Sequence, residues 1–198
     1  DALLVHAPAS EQKLVDSGVA INYHQVMHND FVIVGPAADP AGIKGTKSAL
    51  AAFKQIAAKQ APFVSRGDDS GTNKMELDLW TKAAVKPAGA WYIQSGTGMG
   101  KTLSIASERN AYTLTDRATY LSQKKTLALE IVLEGDAPLL NIYHVAQVSP
   151  TKFTKVNAAG GEAFVKFMMN PDTQKLIGSF GTDKYGQALF FPDGAKGN

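Results

Sequence analysis

The sequence predicts an α/β fold, and three observations support this prediction. Short apolar runs of strand length alternate along the chain with segments whose apolar residues recur at the helical period. Several of the helical segments begin at a Ser or Asp that can cap them. The 18 glycines and 9 prolines indicate many turns between the elements. Such alternation is typical of α/β folds with largely parallel sheets, in which ligands bind at the carboxyl ends of strands.

The predicted strands are short apolar runs that end in residues favouring turns. The run at 29–36 is the clearest, because Gly35 and Pro36 stop it. In chain order, the predicted strands lie at 2–7, 29–36, 62–66, 90–94, 111–115, 126–135 and 141–150.

The predicted helices follow capping residues. Thr46 or Ser48 can begin the first, Ser70 the second, and Asp116 lies in the first turn of the fourth. The predicted helices lie at 47–60, 70–84, 101–110 and 116–125, and 160–181 forms two helical pieces broken at Pro171.

The composition excludes several classes of function. The 20 basic and 18 acidic residues give a net charge of +2 and are scattered, so the chain lacks the basic footprint of a nucleic-acid-binding protein. The absence of cysteine excludes disulfides and thiolate chemistry. The longest apolar runs fall well short of the ~20 residues that cross a bilayer. Because a strand-like run follows Asp1 at once, we expect a segment ahead of it to be missing.

The stretch SGTGMGKT, at 95–102, approaches the pattern of a nucleotide-binding P-loop. Gly100, Lys101 and Thr102 supply the end of that pattern, but Ser95 stands where its first glycine should be. The alternative interpretation is a tight glycine-rich turn between a strand and a helix.

The stretch VSRGDDSGT, at 64–72, carries more of the chemistry of an anion site. Arg66 follows a predicted strand, and Ser70, Gly71 and Thr72 open a predicted helix. The first N–H groups of a helix have no internal partners, and the hydroxyls and the guanidinium add further donors. Of the acidic pair at 68–69, either residue could pair with the arginine or accept a proton from phosphate. The alternative is a capped helix beside a surface salt bridge.

Four other residues are candidates for lining a cleft. Ser65 precedes the arginine, His6 ends the first strand, and Thr115 and Arg117 flank a similar turn. Arg117 is either a second anion ligand or the partner of a carboxylate. The two histidines at 24 and 28 could share a helical face. The sequence nevertheless shows no evident metal site and no nucleophile elbow.

The chain resembles the tungstate-binding proteins of bacterial ABC importers, a group of type II periplasmic solute-binding proteins. The stretches that carry the resemblance are DALLVHAP, MHNDFVIVGP, FVSRGDDSGT, GTGMGKTLSIASERNAYTLTDRATY and ALFFP, which run in this order along nearly the whole chain. The tail EAFVKFMMNPDTQKLIGSFG is also similar, although it is less distinctive.

The resemblance implies a two-lobed type II periplasmic-binding-protein-like fold that holds an oxyanion in its cleft. The first lobe would comprise 1–36 and 141–198 and the second 37–140, with crossing segments near 29–36 and 141–150. By position, the resemblance implies Arg66, Ser70, Gly71 and Thr72 as ligands, and it assigns the glycine-rich turn to the family pattern. It further implies a periplasmic or secreted protein that binds tungstate or molybdate, contacts membrane permease subunits, and needs no cofactor and no catalysis.

One departure from the family concerns the N-terminus. Members of the family carry a Thr/Ser-rich anion loop ahead of the position of Asp1, so we expect the first lobe to be incomplete here. We expect this form to bind its anion weakly or not at all, or to associate with itself through an exposed sheet edge. A phosphate-binding protein and a small P-loop-like NTPase stay open as alternatives.

Overall fold

The computed structural model describes residues 1–194, apart from the side chain of Ala9. The strands are β1 (Ala2–Val5), β2 (Ala20–Gly35), β3 (Phe63–Ser65), β4 (Tyr92–Gln94), β5 (Thr113–Asp116), β6 (Glu130–Leu133), β7 (Leu140–Val148) and β8 (Phe191–Pro192). The helices are α1 (Pro8–Asp16), α2 (Ala49–Lys59), α3 (Gly71–Lys82), α4 (Met99–Glu108), α5 (Arg117–Gln123), α6 (Ala158–Met169), α7 (Pro171–Ser179) and α8 (Thr182–Tyr185). Short 3₁₀ turns lie at Lys124–Thr126 and Ala137–Leu139.

The chain divides into two compact units. The first comprises Asp1–Asn29 and Asn141–Asn198, and the second comprises Asp30–Leu140. The sequence predicted the first boundary after Pro36, whereas the division falls before Asp30, inside β2. Residues 195–198, which the predicted first lobe included, lie outside the described residues. The interpretation of the two units as the lobes of a binding protein stays a prediction.

In the first unit, β1 pairs antiparallel with β7, from Ala2 opposite Gln147 to Val5 opposite His144. The short β8 pairs antiparallel with β2 at Met27 and His28. A small hydrophobic cluster of this unit contains Val26, Val145, Val165 and Met168.

The second unit has a sheet that is covered on both faces. The C-terminal part of β2 pairs antiparallel with β5, and β3 and β4 form a separate two-stranded parallel sheet. Successive residues of β2 face opposite ways, as they must in a strand. Ile33 packs in a cluster with Phe53 and Trp80, whereas Val32 packs in another with Leu103. This burial on both faces explains why the sequence of β2 reads as an unbroken apolar run.

A close backbone approach fixes the end of β2. A Cβ atom added at Gly35 would lie 2.4 Å from the ring of Tyr112, so only glycine fits there. The Tyr112 hydroxyl in turn donates a 2.6 Å hydrogen bond to Asp39 and accepts the N–H of Ala41 at 2.9 Å. The strand therefore stops where a buried tyrosine crosses it.

Three sequence predictions about the fold are wrong or incomplete. The sheets are not largely parallel, because β2 pairs antiparallel with β5, β6 and β8. His24 and His28 do not share a helical face, because both lie on β2, which extends nine residues further toward the N-terminus than predicted. The helix α1 was not predicted at all; Pro8 begins it and no side chain caps it.

Candidate functional site

The site is built where β3 and β4 end side by side. Both strands run in the same direction, so Ser65 and Gln94 end at one edge. Backbone hydrogen bonds continue past the strands, from the N–H of Ser95 to the Ser65 carbonyl at 2.9 Å and from the N–H of Gly96 to the Arg66 carbonyl at 2.8 Å. The residues at 66–70, here called the arginine turn, are thereby held beside the glycine-rich turn at 95–98.

The helix α3 begins at this edge with unused donors. Ser70 is its N-cap, with extended backbone at φ −70° and ψ 169°, and its hydroxyl accepts the N–H of Asn73 at 3.3 Å. Among residues 1–194, the N–H groups of Gly71 and Thr72 and the Thr72 hydroxyl have no hydrogen-bond partner. Apart from its chain neighbours and the helix backbone, no heavy atom lies within 4 Å of a Cβ built on Gly71, so there is open space beside this residue. The helix start can therefore accept an acceptor group from outside the chain.

Arg66 presents a guanidinium that is only half used. Its Nη2 donates to Asp68 Oδ2 at 2.5 Å, and the two side chains are 18% and 22% exposed. Its Nε is buried and has no partner. A guanidinium can hold two oxygens at once through Nε and Nη2, so one half of this fork lacks an acceptor.

Arg117 is a useful contrast, because its fork is complete. Its Nε donates to Asp30 Oδ1 at 2.8 Å and its Nη2 to Asp30 Oδ2 at 2.5 Å. Its Nη2 also contacts Glu134 at 2.5 Å, and the hydrogen bonds to Asp30 raise the pKa of Arg117 above its already high value. The sequence left open whether this arginine is an anion ligand or the partner of a carboxylate, and the structure gives it two carboxylates.

Beneath the arginine turn lies a buried carboxylate, Glu76. It accepts hydrogen bonds from Ser65 Oγ at 2.6 Å, Tyr92 Oη at 2.7 Å and Trp80 Nε1 at 2.9 Å. Asn73 Nδ2 donates to the same serine hydroxyl at 3.2 Å. Glu76 thus ties α3, β3 and β4 together directly behind the turn. Sequence reasoning missed it, although a carboxylate four residues before a buried tryptophan on one helix face could have indicated it.

We expect Glu76 to give the stability of the protein a distinctive pH dependence. Burial raises the pKa of Glu76, and the hydrogen bonds from Ser65, Tyr92 and Trp80 oppose that rise. Because the folded protein holds this proton more tightly than the unfolded chain does, lowering the pH from neutral to about 4 should stabilise the wild type relative to Glu76→Gln. Urea denaturation of both proteins at stepped pH measures the difference. The control is Glu108→Gln, at an exposed position; a pH-independent difference for Glu76→Gln would refute this expectation.

The glycine-rich turn joins β4 to α4, as its second interpretation predicted. Gly98 is the N-cap of α4, and a Cβ on Gly100 would lie 2.5 Å from the Gln123 amide. Thr102 is fully buried, and its hydroxyl lies 2.8 Å from Ser95 Oγ and 3.2 Å from the Gly98 carbonyl. In a P-loop this hydroxyl would be free to bind Mg²⁺, so these contacts argue against a nucleotide site.

Three other residues predicted to line a cleft, Ser65, Thr115 and His6, lie outside the arginine turn. Ser65 and Thr115 are buried, and their hydroxyls donate to Glu76 and to the Asp116 carbonyl instead of facing solvent. His6 belongs to the first unit, where its Nδ1 lies 3.1 Å from Asn141 Oδ1. His28 Nδ1 lies 2.7 Å from Asp193. No group of three or more metal-ligating side chains occurs in the described part of the chain.

The family of the chain is shown by comparison with known proteins. Residues 1–172 match the model of the PBP superfamily domain. The tungstate-binding protein TupA of Peptoclostridium acidaminophilum is 45% identical over 198 residues, which are 99% of this chain and 69% of that protein. The chain belongs to the tungstate-binding proteins of the PBP superfamily. The resemblance seen in the sequence is therefore confirmed.

Two further similar proteins extend the comparison. A putative ABC transporter anion-binding protein of Haloferax volcanii is 44% identical over all of this chain and 59% of its own length. The solved structure of the tungstate-binding protein TupA from Desulfovibrio alaskensis G20 is 46% identical and superposes with a TM-score of 0.89, covering 98% of this chain and 78% of that one. This similarity confirms the predicted fold class, a type II periplasmic-binding-protein fold.

Proposed function

We propose that this protein is the solute-binding component of an ABC importer and that it binds a tetrahedral oxyanion, tungstate or molybdate, at the arginine turn. The observation that carries the proposal is the half-used fork of Arg66 beside the free donors of α3. An acceptor with several oxygens, placed there, would meet Nε of Arg66 together with the N–H groups of Gly71 and Thr72 and the Thr72 hydroxyl. Tetrahedral oxyanions have the required number and spread of oxygens.

The chemistry of these donors suits a small anion that has to leave water. An ionised group taken out of water loses a great deal of solvation free energy, which the protein must replace with donors. Hydrogen bonds to a charged group contribute about 1.5–3 kcal/mol each. The positive end of the α3 dipole adds to them. The site uses one guanidinium, two backbone N–H groups and one hydroxyl, and involves no bond-making step.

The biological setting of this proposal comes from the relatives. One of them is named as an ABC transporter anion-binding protein and another as a tungstate-binding protein. We therefore propose permease subunits of an importer as the partner, and we propose that the protein is periplasmic or secreted. Within residues 1–194, no helix has the length and apolar character to cross a bilayer. That the anion is enclosed between two lobes stays a prediction.

A phosphate-binding protein is the second candidate, and Asp68 is the observation that favours it. Phosphate at neutral pH carries a proton that needs an acceptor, and a carboxylate already lies beside Arg66. Tungstate and molybdate carry no such proton at that pH and would gain nothing from this acceptor. A site discriminates strongly against a ligand that leaves one of the site's buried polar groups without a hydrogen-bond partner.

Isothermal titration calorimetry at neutral pH separates these functions. We expect tungstate and molybdate to bind more tightly than sulfate and phosphate, and we expect no heat of binding with ATP and Mg²⁺. Phosphate binding tighter than tungstate would favour the second candidate. Saturable binding of ATP together with no response to any oxyanion would overturn the proposal.

A further inference from the structure

The carboxylate of Asp68 bridges the same two elements that an oxyanion would bridge. Its Oδ2 accepts from Arg66 Nη2 at 2.5 Å, and its Oδ1 accepts the N–H of Ser70 at 3.2 Å. One negatively charged group thus joins the guanidinium to the start of α3. No other side chain of residues 1–194 contacts the Arg66 guanidinium through a hydrogen bond or an ion pair.

The pairing with Asp68 satisfies Arg66 incompletely. A carboxylate of the same chain, two residues away, reaches only Nη2 and leaves Nε buried without a partner. The carboxylate of Asp30, which comes to Arg117 from a distant strand, fills both positions of its fork. The geometry of Asp68 is that of a substitute acceptor, and it leaves unfilled a position that an acceptor with more oxygens could fill.

The side chain of Asp68 can leave without rebuilding the turn. Among the described residues its hydrogen bonds go only to the neighbouring Arg66 and to the N–H and side chain of Ser70. The backbone on its C-terminal side is held separately, because the N–H of Asp69 donates to Asn73 Oδ1 at 3.1 Å. Rotation about χ1 of a partly exposed side chain takes place in picoseconds to nanoseconds. Turning the carboxylate toward solvent would release one guanidinium donor and the Ser70 N–H.

We propose that Asp68 is an internal counter-anion, which occupies Arg66 and the start of α3 in the free protein and is displaced when the oxyanion binds. This inference rests on the function proposed above. The anion must first break the contacts of Asp68 and must then lie near a carboxylate of like charge. Asp68 therefore lowers the affinity of the site, and an uncharged residue in its place should bind the anion more tightly. In keeping with this, hydrogen bonds from Ser70 and the neighbouring guanidinium lower the pKa of Asp68, so the group is charged at neutral pH.

The test is the affinity of Asp68→Asn for tungstate, measured by calorimetry at neutral pH beside the wild type. Hydrogen bonds with an ionised partner are roughly twice as strong as neutral ones. We therefore expect the dissociation constant to fall on the order of tenfold. Asp68→Ala, which removes both the charge and the acceptor, should bind at least as tightly as Asp68→Asn.

The matched control is Asp69→Asn. Its side chain is 88% exposed and, within residues 1–194, reaches only Lys74, at 3.6 Å. The substitution changes the net charge by the same amount. A general effect of removing one negative charge will appear in both variants, so the tightening has to be larger for Asp68→Asn. Thermal unfolding checks that both variants are folded.

The outcomes distinguish this inference from the proposed function. A second outcome is that the wild type binds tungstate but the Asp68 variants bind it no more tightly than Asp69→Asn does. Asp68 then positions the arginine instead of competing with the anion, and only this inference is overturned. If the wild type and all variants bind neither tungstate nor molybdate, also when the chain is extended at its N-terminus, the proposed function fails and the inference fails with it. Binding by Asp68→Asn where the wild type shows none would support both.

Discussion

Replacing Arg66 with alanine is expected to weaken oxyanion binding at least about 100-fold. The substitution removes the charge and both donors of the fork, and hydrogen bonds to charged groups contribute about 1.5–3 kcal/mol each. Two such bonds correspond to about two factors of ten or more in the dissociation constant. The fold should be little affected, because the ion pair with Asp68 is partly exposed and exposed pairs contribute about 0–1 kcal/mol. Calorimetry with tungstate and molybdate measures the loss.

Two variants make this test specific. Arg109→Ala removes an arginine at the exposed C-terminal end of α4, and we expect it to bind like the wild type. Arg66→Lys keeps the charge but not the planar fork, so it should recover only part of the affinity. Equal binding by Arg66→Ala and Arg109→Ala would show that the anion does not bind at the arginine turn.

Replacing Arg117 with methionine is expected to lower the free energy of unfolding by about 3–5 kcal/mol, the usual cost of breaking a buried ion pair from one side. The side chains of Arg117 and Asp30 are only 10% and 6% exposed, so the substitution leaves a buried carboxylate without its partner. Methionine fills most of the vacated volume, which keeps the packing loss small. Urea denaturation followed by circular dichroism measures the change.

Controls separate the charge from the packing. Glu134→Gln should cost less than about 1 kcal/mol, because this carboxylate is 52% exposed. Adding Asp30→Leu to Arg117→Met should recover much of the loss, since replacing a whole buried pair by apolar residues is often close to neutral. If the double variant is as unstable as Arg117→Met, lost packing is responsible instead of the unpaired carboxylate.

Local chemistry made the helix starts predictable. Ser48, Ser70 and Asp116 all act as N-caps in the structure, as their sequence positions indicated. The capping interaction spans three residues, so it can be seen in a short stretch of sequence. The effect of a proline on a helix is also local, so the break between α6 and α7 at Pro171 was predicted. The placement of the arginine turn directly before α3 followed from these local rules.

Long-range partners were not predictable in the same way. Arg66 and Arg117 each follow a strand and precede or begin a helix, and nothing in their neighbourhoods distinguishes a ligand from a structural pair. The difference lies in Asp30, which is 87 residues from Arg117 in the chain. Likewise, the antiparallel pairing of β2 and the role of Glu76 depend on contacts between elements that are distant in sequence.

Two of the three donors that α3 offers at Gly71 and Thr72 are main-chain N–H groups, and this has an evolutionary consequence. Every amino acid except proline brings an N–H to these positions. Point substitutions can therefore change the side chains that surround the anion without removing these backbone donors. Relatives could therefore drift from one anion to another while remaining anion receptors. A survey that counts only matching side chains would underestimate how many of them share the capability.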